Sequence, residues 1–158
     1  MLSKGAKMSL NHSKPKGVTD ECYTPKHIFD SLGLSFDLDV CAPNHGAFVP
    51  AKQRYSLPFD GLAAPWFGLV WMNPPYSKPA PWVDKFIQHN NGVTLLPVTN
   101  GKWFDQIWNA AQGVLTLRSL QFTRPDGSAK GIFFRTALFA FGDVSYQALI
   151  NSNLGKVR

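Results

Sequence analysis

The residues Asn73-Pro74-Pro75-Tyr76 end an apolar run, Leu69-Val70-Trp71-Met72, and their types suit transfer of a methyl group onto a planar amino nitrogen. The amino nitrogen of a base such as adenine is a poor nucleophile because its lone pair is delocalised into the ring. Two hydrogen-bond acceptors aimed at the amino hydrogens draw that pair back onto nitrogen, and acceptors fixed beforehand need no reorganisation in the transition state. The side-chain oxygen of Asn73 and the carbonyl of Pro74 are the candidates, and such a site requires no general base. Each proline fixes its own φ and biases the preceding residue to an extended conformation, so the direction of the Pro74 carbonyl is largely set. Tyr76 adds an aromatic face on which an extruded base can stack. The bland alternative is a rigid strand-to-loop turn, since Asn-Pro and Pro-Pro are ordinary turn dipeptides.

The elements around the motif decide between these readings. Thr24-Pro25 followed by Ile28, Phe29, Leu32 and then Gly33 predicts a short helix with Thr24 as its N-cap. Alternation over Ser35 to Val40 predicts a strand that carries Asp37 and Asp39. The Pro-, Gly- and Asn-rich stretch from Ala42 to Pro65 is too long for a structureless loop and is expected to hold short strands or a helical turn. Further on, strands are expected at Gly68 to Met72, Val93 to Val98, Val114 to Leu117 and Thr136 to Phe141, the last closing the sheet. Helices are expected from Pro81 to Asn90 and, capped by Asn100, from Lys102 to Gln112. Arg124-Pro125-Asp126-Gly127 is turn chemistry, so Leu120 to Phe134 reads as an exposed loop or hairpin arm. Apolar strands alternating with amphipathic helices imply an α/β fold, a largely parallel sheet with helices on both faces. Such sheets bind ligands at the carboxyl ends of their strands, near the point where strand order reverses. The chain places Asp37-Leu38-Asp39, Asn73-Pro74-Pro75-Tyr76 and Pro97-Val98-Thr99-Asn100 there.

A chain of 158 residues with 44% apolar and 13% aromatic content is sized for one domain with a proper core, expected over residues 20–158. Four of the six net positive charges come from Lys4, Lys7, Lys14 and Lys16, which precede the first acid, Asp20. Residues 1–19 therefore read as a flexible basic arm, either drawn to phosphate backbones or simply solvated. Two cysteines, Cys22 and Cys41, make neither a disulfide scaffold nor a zinc site, and four scattered histidines suggest no metal centre. A reduced, cytoplasmic setting is expected, with no signal-peptide core and no membrane span, because Pro65 interrupts the longest apolar stretch.

With these blocks in one order, the sequence resembles the phage-type DNA N-6-adenine methyltransferase (Dam) family. The resemblance spans about Glu21 to Gly142 and rests on Tyr23-Thr24-Pro25, Asp37 to Ala42, Asp60-Gly61-Leu62, Trp71 to Tyr76, Trp82-Val83 and Lys102-Trp103-Phe104. It implies a Rossmann-like S-adenosylmethionine-dependent methyltransferase fold of reduced size, with S-adenosylmethionine as methyl donor and adenine in DNA as acceptor. It further implies that Tyr23, Thr24 and Pro25 contact the methionine end of the cofactor, that Asp39 and more weakly Asp37 attract its cationic side, and that Asp60 serves the adenosine part. Phe122 matches a position where such enzymes often set a second aromatic against the flipped base. After Asp39 the sequence runs Val40-Cys41-Ala42-Pro43-Asn44-His45-Gly46, with one glycine where related enzymes have a glycine-rich turn, which implies weaker cofactor affinity. There is no length for a separate target-recognition domain, so loose sequence specificity is expected. Duplex contact then falls to the basic arm, the loop around Lys78, and the Arg118 to Arg135 segment containing Arg124 and Lys130. Protection of viral DNA from host restriction is the role the family suggests. The competing readings are a methyltransferase acting on RNA or on protein glutamine, and a non-catalytic nucleic-acid-binding module. A pI near 9.5 favours nucleic acid over a protein substrate.

Overall fold

A computed structural model of the protein describes residues 23–45, 48–118, 120–124, 126–131 and 134–158. The expected basic arm, Cys22, Gly46 and the side chain of Lys130 lie outside the described residues. In chain order the elements are α1 (Lys26–Leu32), β1 (Phe36–Asp39), β2 (Ala51–Arg54), β3 (Val70–Met72), α2 (Ala80–His89), β4 (Gly92–Pro97), α3 (Lys102–Ala110), β5 (Gly113–Leu117), β6 (Gln121–Thr123), β7 (Ala129–Gly131), β8 (Thr136–Phe141) and α4 (Asp143–Asn151).

One six-stranded sheet runs in the order β2-β1-β3-β4-β8-β5, and β6 and β7 form a separate hairpin. Strands β2, β1, β3 and β4 pair in parallel, whereas β8 is antiparallel to both β4 and β5. The last strand completes the sheet by inserting between β4 and β5. All six residues of β8 are buried, which only a central position covered on both faces provides.

Alternation along the strands separates two cores. On one face Ile28, Phe29 and Leu32 of α1 and Leu149 of α4 pack on Trp71, Val93, Leu95 and Leu138. On the other, Val83 and Phe86 of α2 and Phe104 and Ile107 of α3 pack on Val70, Met72, Leu96 and Phe139. The result is the α/β layering expected from the sequence, with helices on both faces. The stretch after Ala42 supplies β2 and a helical turn at Asp60 to Ala64.

Two helix starts differ from expectation. Pro25, not Thr24, is the N-cap of α1, with extended dihedrals of φ −59° and ψ 143°. Thr24 precedes that proline, is held extended by it, and is buried. Gly101 rather than Asn100 caps α3, because φ 146° there suits glycine and its carbonyl receives the Phe104 and Asp105 amides.

Asp37 also departs from its expected role. The Asp37 and Leu38 amides both donate to the Leu69 carbonyl, at 2.8 and 3.4 Å, so β1 is locally bulged. That slip breaks the period of two, puts Phe36 and Leu38 into opposite cores, and takes Asp37 off the face shared with Asp39. The Asp37 carboxylate accepts hydrogen bonds from Lys52 Nζ and the Leu69 amide, both 2.8 Å. These bonds, the lysine first, hold its pKa below the ordinary carboxylate value. Gly68 makes the arrangement possible: it has φ +63°, and a Cβ there would stand 2.2 Å from Asp37 Oδ2 and 2.7 Å from Asp37 Cβ. Rotating the carboxylate would not relieve the contact with Cβ. Gly68→Ala is therefore expected to cost about 1–3 kcal/mol of stability, read as a lower urea midpoint at unchanged slope. A variant with the wild-type midpoint would contradict this account.

Candidate active site

The chain leaves β1 for β2 on one side of the sheet and returns to β3 on the other, so the order reverses at the β1/β3 boundary. A crevice at the carboxyl ends of the strands there is the ligand-binding position in open α/β sheets. Asp39 ends β1 and Asn73-Pro74-Pro75-Tyr76 follows β3 at this rim. Asn73 is half-buried and Pro74 buried. Asn73 Nδ2 donates to Thr24 Oγ1 over 3.3 Å. The segment carrying Thr24 is itself fixed, because Tyr23 and Thr123 exchange backbone hydrogen bonds of 2.8 and 3.1 Å. Tyr23, Thr24 and Pro25 are thus brought beside the motif between β3 and the β6–β7 hairpin. Tyr23 and Thr24 are buried, and Pro25 is half-buried.

The Tyr76 hydroxyl donates to the Leu95 carbonyl over 3.3 Å, and its ring meets Phe122 and Phe134 edge-on at centroid distances of 6.4 and 6.1 Å. Phe122 is 1% exposed and belongs to the core shared with α1 and α4. It backs Tyr76 and offers no face to a base, which corrects the stacking role expected for it. Phe134 is 46% exposed and is the ring at the rim. It lies just before β8, where the chain re-enters the sheet from the carboxyl edge and the Val98 amide bonds to the Arg135 carbonyl at 2.8 Å. Nothing in the sequence separates Phe134 from Phe122. The direction of β8 does, and it was not legible.

Asp39 is 1% exposed, and its carboxylate accepts the Cys41 amide at 3.3 Å. Burial pushes its pKa up to about 7, against the opposing effects of that hydrogen bond and the Arg54 charge. Burial and the Asp39 charge also push the Cys41 thiol up to about 12. Asp60 is exposed; its Oδ1 accepts the Leu62 amide at 2.9 Å, and its carbonyl receives the Ala63 and Ala64 amides. A Cβ on Gly61 would stand 2.0 Å from the Val40 carbonyl oxygen, so the Asp60 turn lies directly against the end of β1. Asp39 and Asp60 therefore lie on the β1 side of the strand-order reversal, and Asn73 to Tyr76 on the β3 side.

Of the expected DNA contacts, Lys78 is exposed just beyond the motif, where its amide bonds to the Pro75 carbonyl at 3.3 Å. Arg124 is exposed on the hairpin. Lys130 pairs with Phe122 through its backbone. Lys102, at the start of α3, and Arg135, at the end of the segment expected to contact the duplex and just before β8, are both exposed at the carboxyl edge. Among the described residues no group of three or more His, Cys, Asp or Glu side chains could hold a metal ion, and no helix is long and apolar enough to cross a membrane.

The profile of the DNA N-6-adenine-methyltransferase (Dam) family matches residues 11–131. The chain is 38% identical over 119 residues to a DNA N-6-adenine-methyltransferase of Haemophilus phage HP1 (strain HP1c1), an alignment covering 68% of each chain. It is 30% identical over 154 residues to a DNA N-6-adenine-methyltransferase of Escherichia phage T1, covering 90% of this chain but only 63% of the T1 protein. No solved structure gives a significant match. The matched stretch includes Asp39, Asp60 and Asn73 to Tyr76, and the chain belongs to the DNA N-6-adenine-methyltransferase family.

Proposed function

We propose that this protein transfers a methyl group from S-adenosylmethionine to the exocyclic amino nitrogen of adenine in DNA, acting on a base flipped out of the duplex and with loose sequence specificity. One observation carries the reading: Asn73 to Tyr76 stand across the strand-order reversal from the buried carboxylate of Asp39. Family membership supports the same reaction class. A Rossmann-like methyltransferase architecture agrees with the five co-directional strands and the reversed β8. Residues 20–158 would then form one methyltransferase domain that holds both cofactor and base, and the reaction would take place in the host cytoplasm.

The residues present fit the cofactor. A carboxylate buried with few polar partners favours a cation brought beside it, and Asp39 stands where an ammonium or sulfonium group would meet it. Asp60 offers its carboxylate at the other end of the same wall. The bound cofactor supplies an electrophilic methyl group. The protein prepares the amine to receive it. Asn73 Oδ1 and the Pro74 carbonyl accept the two amino hydrogens and localise the lone pair on nitrogen. Thr24 keeps the Asn73 amide from rotating, and the prolines keep the Pro74 carbonyl aimed. Tyr76 and Phe134 offer faces to the flipped base, with Phe122 behind Tyr76. Lys78, Lys102, Arg124 and Arg135 supply phosphate contacts around the opening, a charge-based hold that does not read sequence.

Labelled methyl transfer to matched DNA, RNA and glutamine-containing peptide tests the substrate class. DNA is expected to accept the label at adenine at many short sequence contexts, and acceptance by RNA or peptide alone would overturn the reading. In the same assay Asn73→Ala is expected to lower turnover by about a hundredfold or more while leaving S-adenosylmethionine affinity near wild type. Turnover preserved in that variant would remove Asn73 from catalysis. Phe134→Ala is expected to weaken transfer to adenine by about 1–3 kcal/mol, and an unchanged kcat/KM would return the base-stacking role to Tyr76 alone.

Asp39 gives a pH test. Its pKa is raised from 3.8 to about 7, so the folded chain holds a proton that the unfolded chain releases between those values. Stability from the neutral form is complete below pH 3.8 and is lost as pH rises through about 7, an effect of roughly 4 kcal/mol. Asp39→Asn is therefore expected to melt higher than wild type at pH 8, with the gap narrowing below pH 7 and closing near pH 4. Cofactor affinity of the wild type should fall as pH drops through 7, where the carboxylate is lost. If the Asp39→Asn variant binds cofactor as well as wild type at pH 8, the ion-pairing role is refuted.

A further inference from the structure

Lys85 on α2 was not singled out by its sequence context, and it makes an unusual set of contacts. Its Nζ donates to the carbonyls of Gly61, Leu62 and Ala64 at 3.2, 2.6 and 2.5 Å, and it lies 5.0 Å from the centre of the Trp66 ring. Trp66 Nε1 donates to the same Gly61 carbonyl at 2.7 Å, and its ring stacks on Trp82 of α2. These carbonyls lie along the single helical turn that begins at Asp60. Carbonyls at the end of such a turn lack backbone partners and carry partial negative charge, which a lysine ammonium satisfies. Desolvation pulls the Lys85 pKa below the ordinary lysine value, while the nearby Asp60 charge raises it.

We propose that Lys85 is a positioning residue for the cofactor side of the site: its ammonium pins the Asp60–Ala64 turn to α2 and sets where the Asp60 carboxylate stands. This rests on the reading of Asp60 as a cofactor contact. Asp60 Oδ1 is held by the Leu62 amide, and Oδ2 has no hydrogen-bond partner among the described residues, so the carboxylate is oriented yet has capacity for a ligand. Gly61 locks the other side of the turn against the Val40 carbonyl. Helix α2 is also the element into which the Asn73–Tyr76 loop runs. One rigid helix thus ties the amine-activating loop at its start to the cofactor-side turn at Lys85. Alignment of donor and acceptor is where much of the rate in a two-substrate reaction originates.

The test uses the full chain with two variants, Lys85→Met, which keeps the stem and removes the donor, and Trp66→Phe, which keeps an aromatic ring and removes the N–H. Titration calorimetry gives the Kd for S-adenosylmethionine, and methyl transfer to DNA gives KM and kcat. Lys85→Met is expected to raise the cofactor Kd and KM by about tenfold and to lower kcat at saturating cofactor by about tenfold, with DNA affinity within about twofold of wild type. Trp66→Phe should shift the same quantities in the same direction by less. A folded Lys85→Met that melts lower but binds cofactor as wild type does would overturn the proposal. If Lys85→Met does not fold, unchanged cofactor affinity in Trp66→Phe overturns it instead. Wild type that takes up no cofactor would bring down the reading of Asp60 and this proposal together, whereas equal binding by all three chains removes the role of Lys85 alone.

Discussion

The hydrogen bond from Asn73 to Thr24 joins parts of the chain far apart in sequence and sets how the Asn73 amide is turned at the strand-order reversal. Asn73 sits in a proline-restrained loop that fixes its backbone but leaves χ1 and χ2 of the amide to be set by neighbours. Thr24 is a suitable neighbour because it too precedes a proline, is buried, and is held by backbone pairing of Tyr23 with the β6–β7 hairpin. Two stiff segments meet through a single polar contact. The hairpin therefore acts on the site twice, through the Tyr23 backbone pairing and through Phe122 behind Tyr76.

Asp39 shows the opposite economy. Most of the sheet lowers its free energy by excluding water, yet β1 ends in a carboxylate with 1% exposure whose ionisation is resisted by its surroundings. A structural role would be better met by an apolar residue or an amide. Destabilised charge at the strand-order reversal is a familiar mark of a ligand site, where stability is given up for binding. Asp37, two residues earlier, is its counterpart: half-buried, paired with Lys52, bonded to the Leu69 amide and ionised readily.

Much of the fold was legible because strands and helices announce themselves by period. Leu95, Leu138 and Val93 line one face and Leu96 and Phe139 the other, and the short helix before β1 ends at Gly33 in the left-handed conformation its sequence promised. The errors have local causes. A bulge hid the separation of Asp37 from Asp39, and a proline moved the cap of α1 by one residue. The motif was legible at Asn73 to Tyr76 because prolines constrain without tertiary help. Lys85 and Phe134 were not, since their meaning lies in three convergent carbonyls and in the direction from which β8 enters.

That direction of entry also bears on how the chain reaches its native state. Strand β8 pairs with β4 along six residues and with β5 along five, yet it follows both in synthesis. Until Thr136 to Phe141 leave the ribosome, β4 and β5 have no shared ladder, and each presents a bare, strongly apolar margin. Assembly of the barrier between the two cores must wait for this late insertion. The nascent polypeptide is thus most vulnerable to self-association after the hairpin has emerged and before the final strand has threaded home.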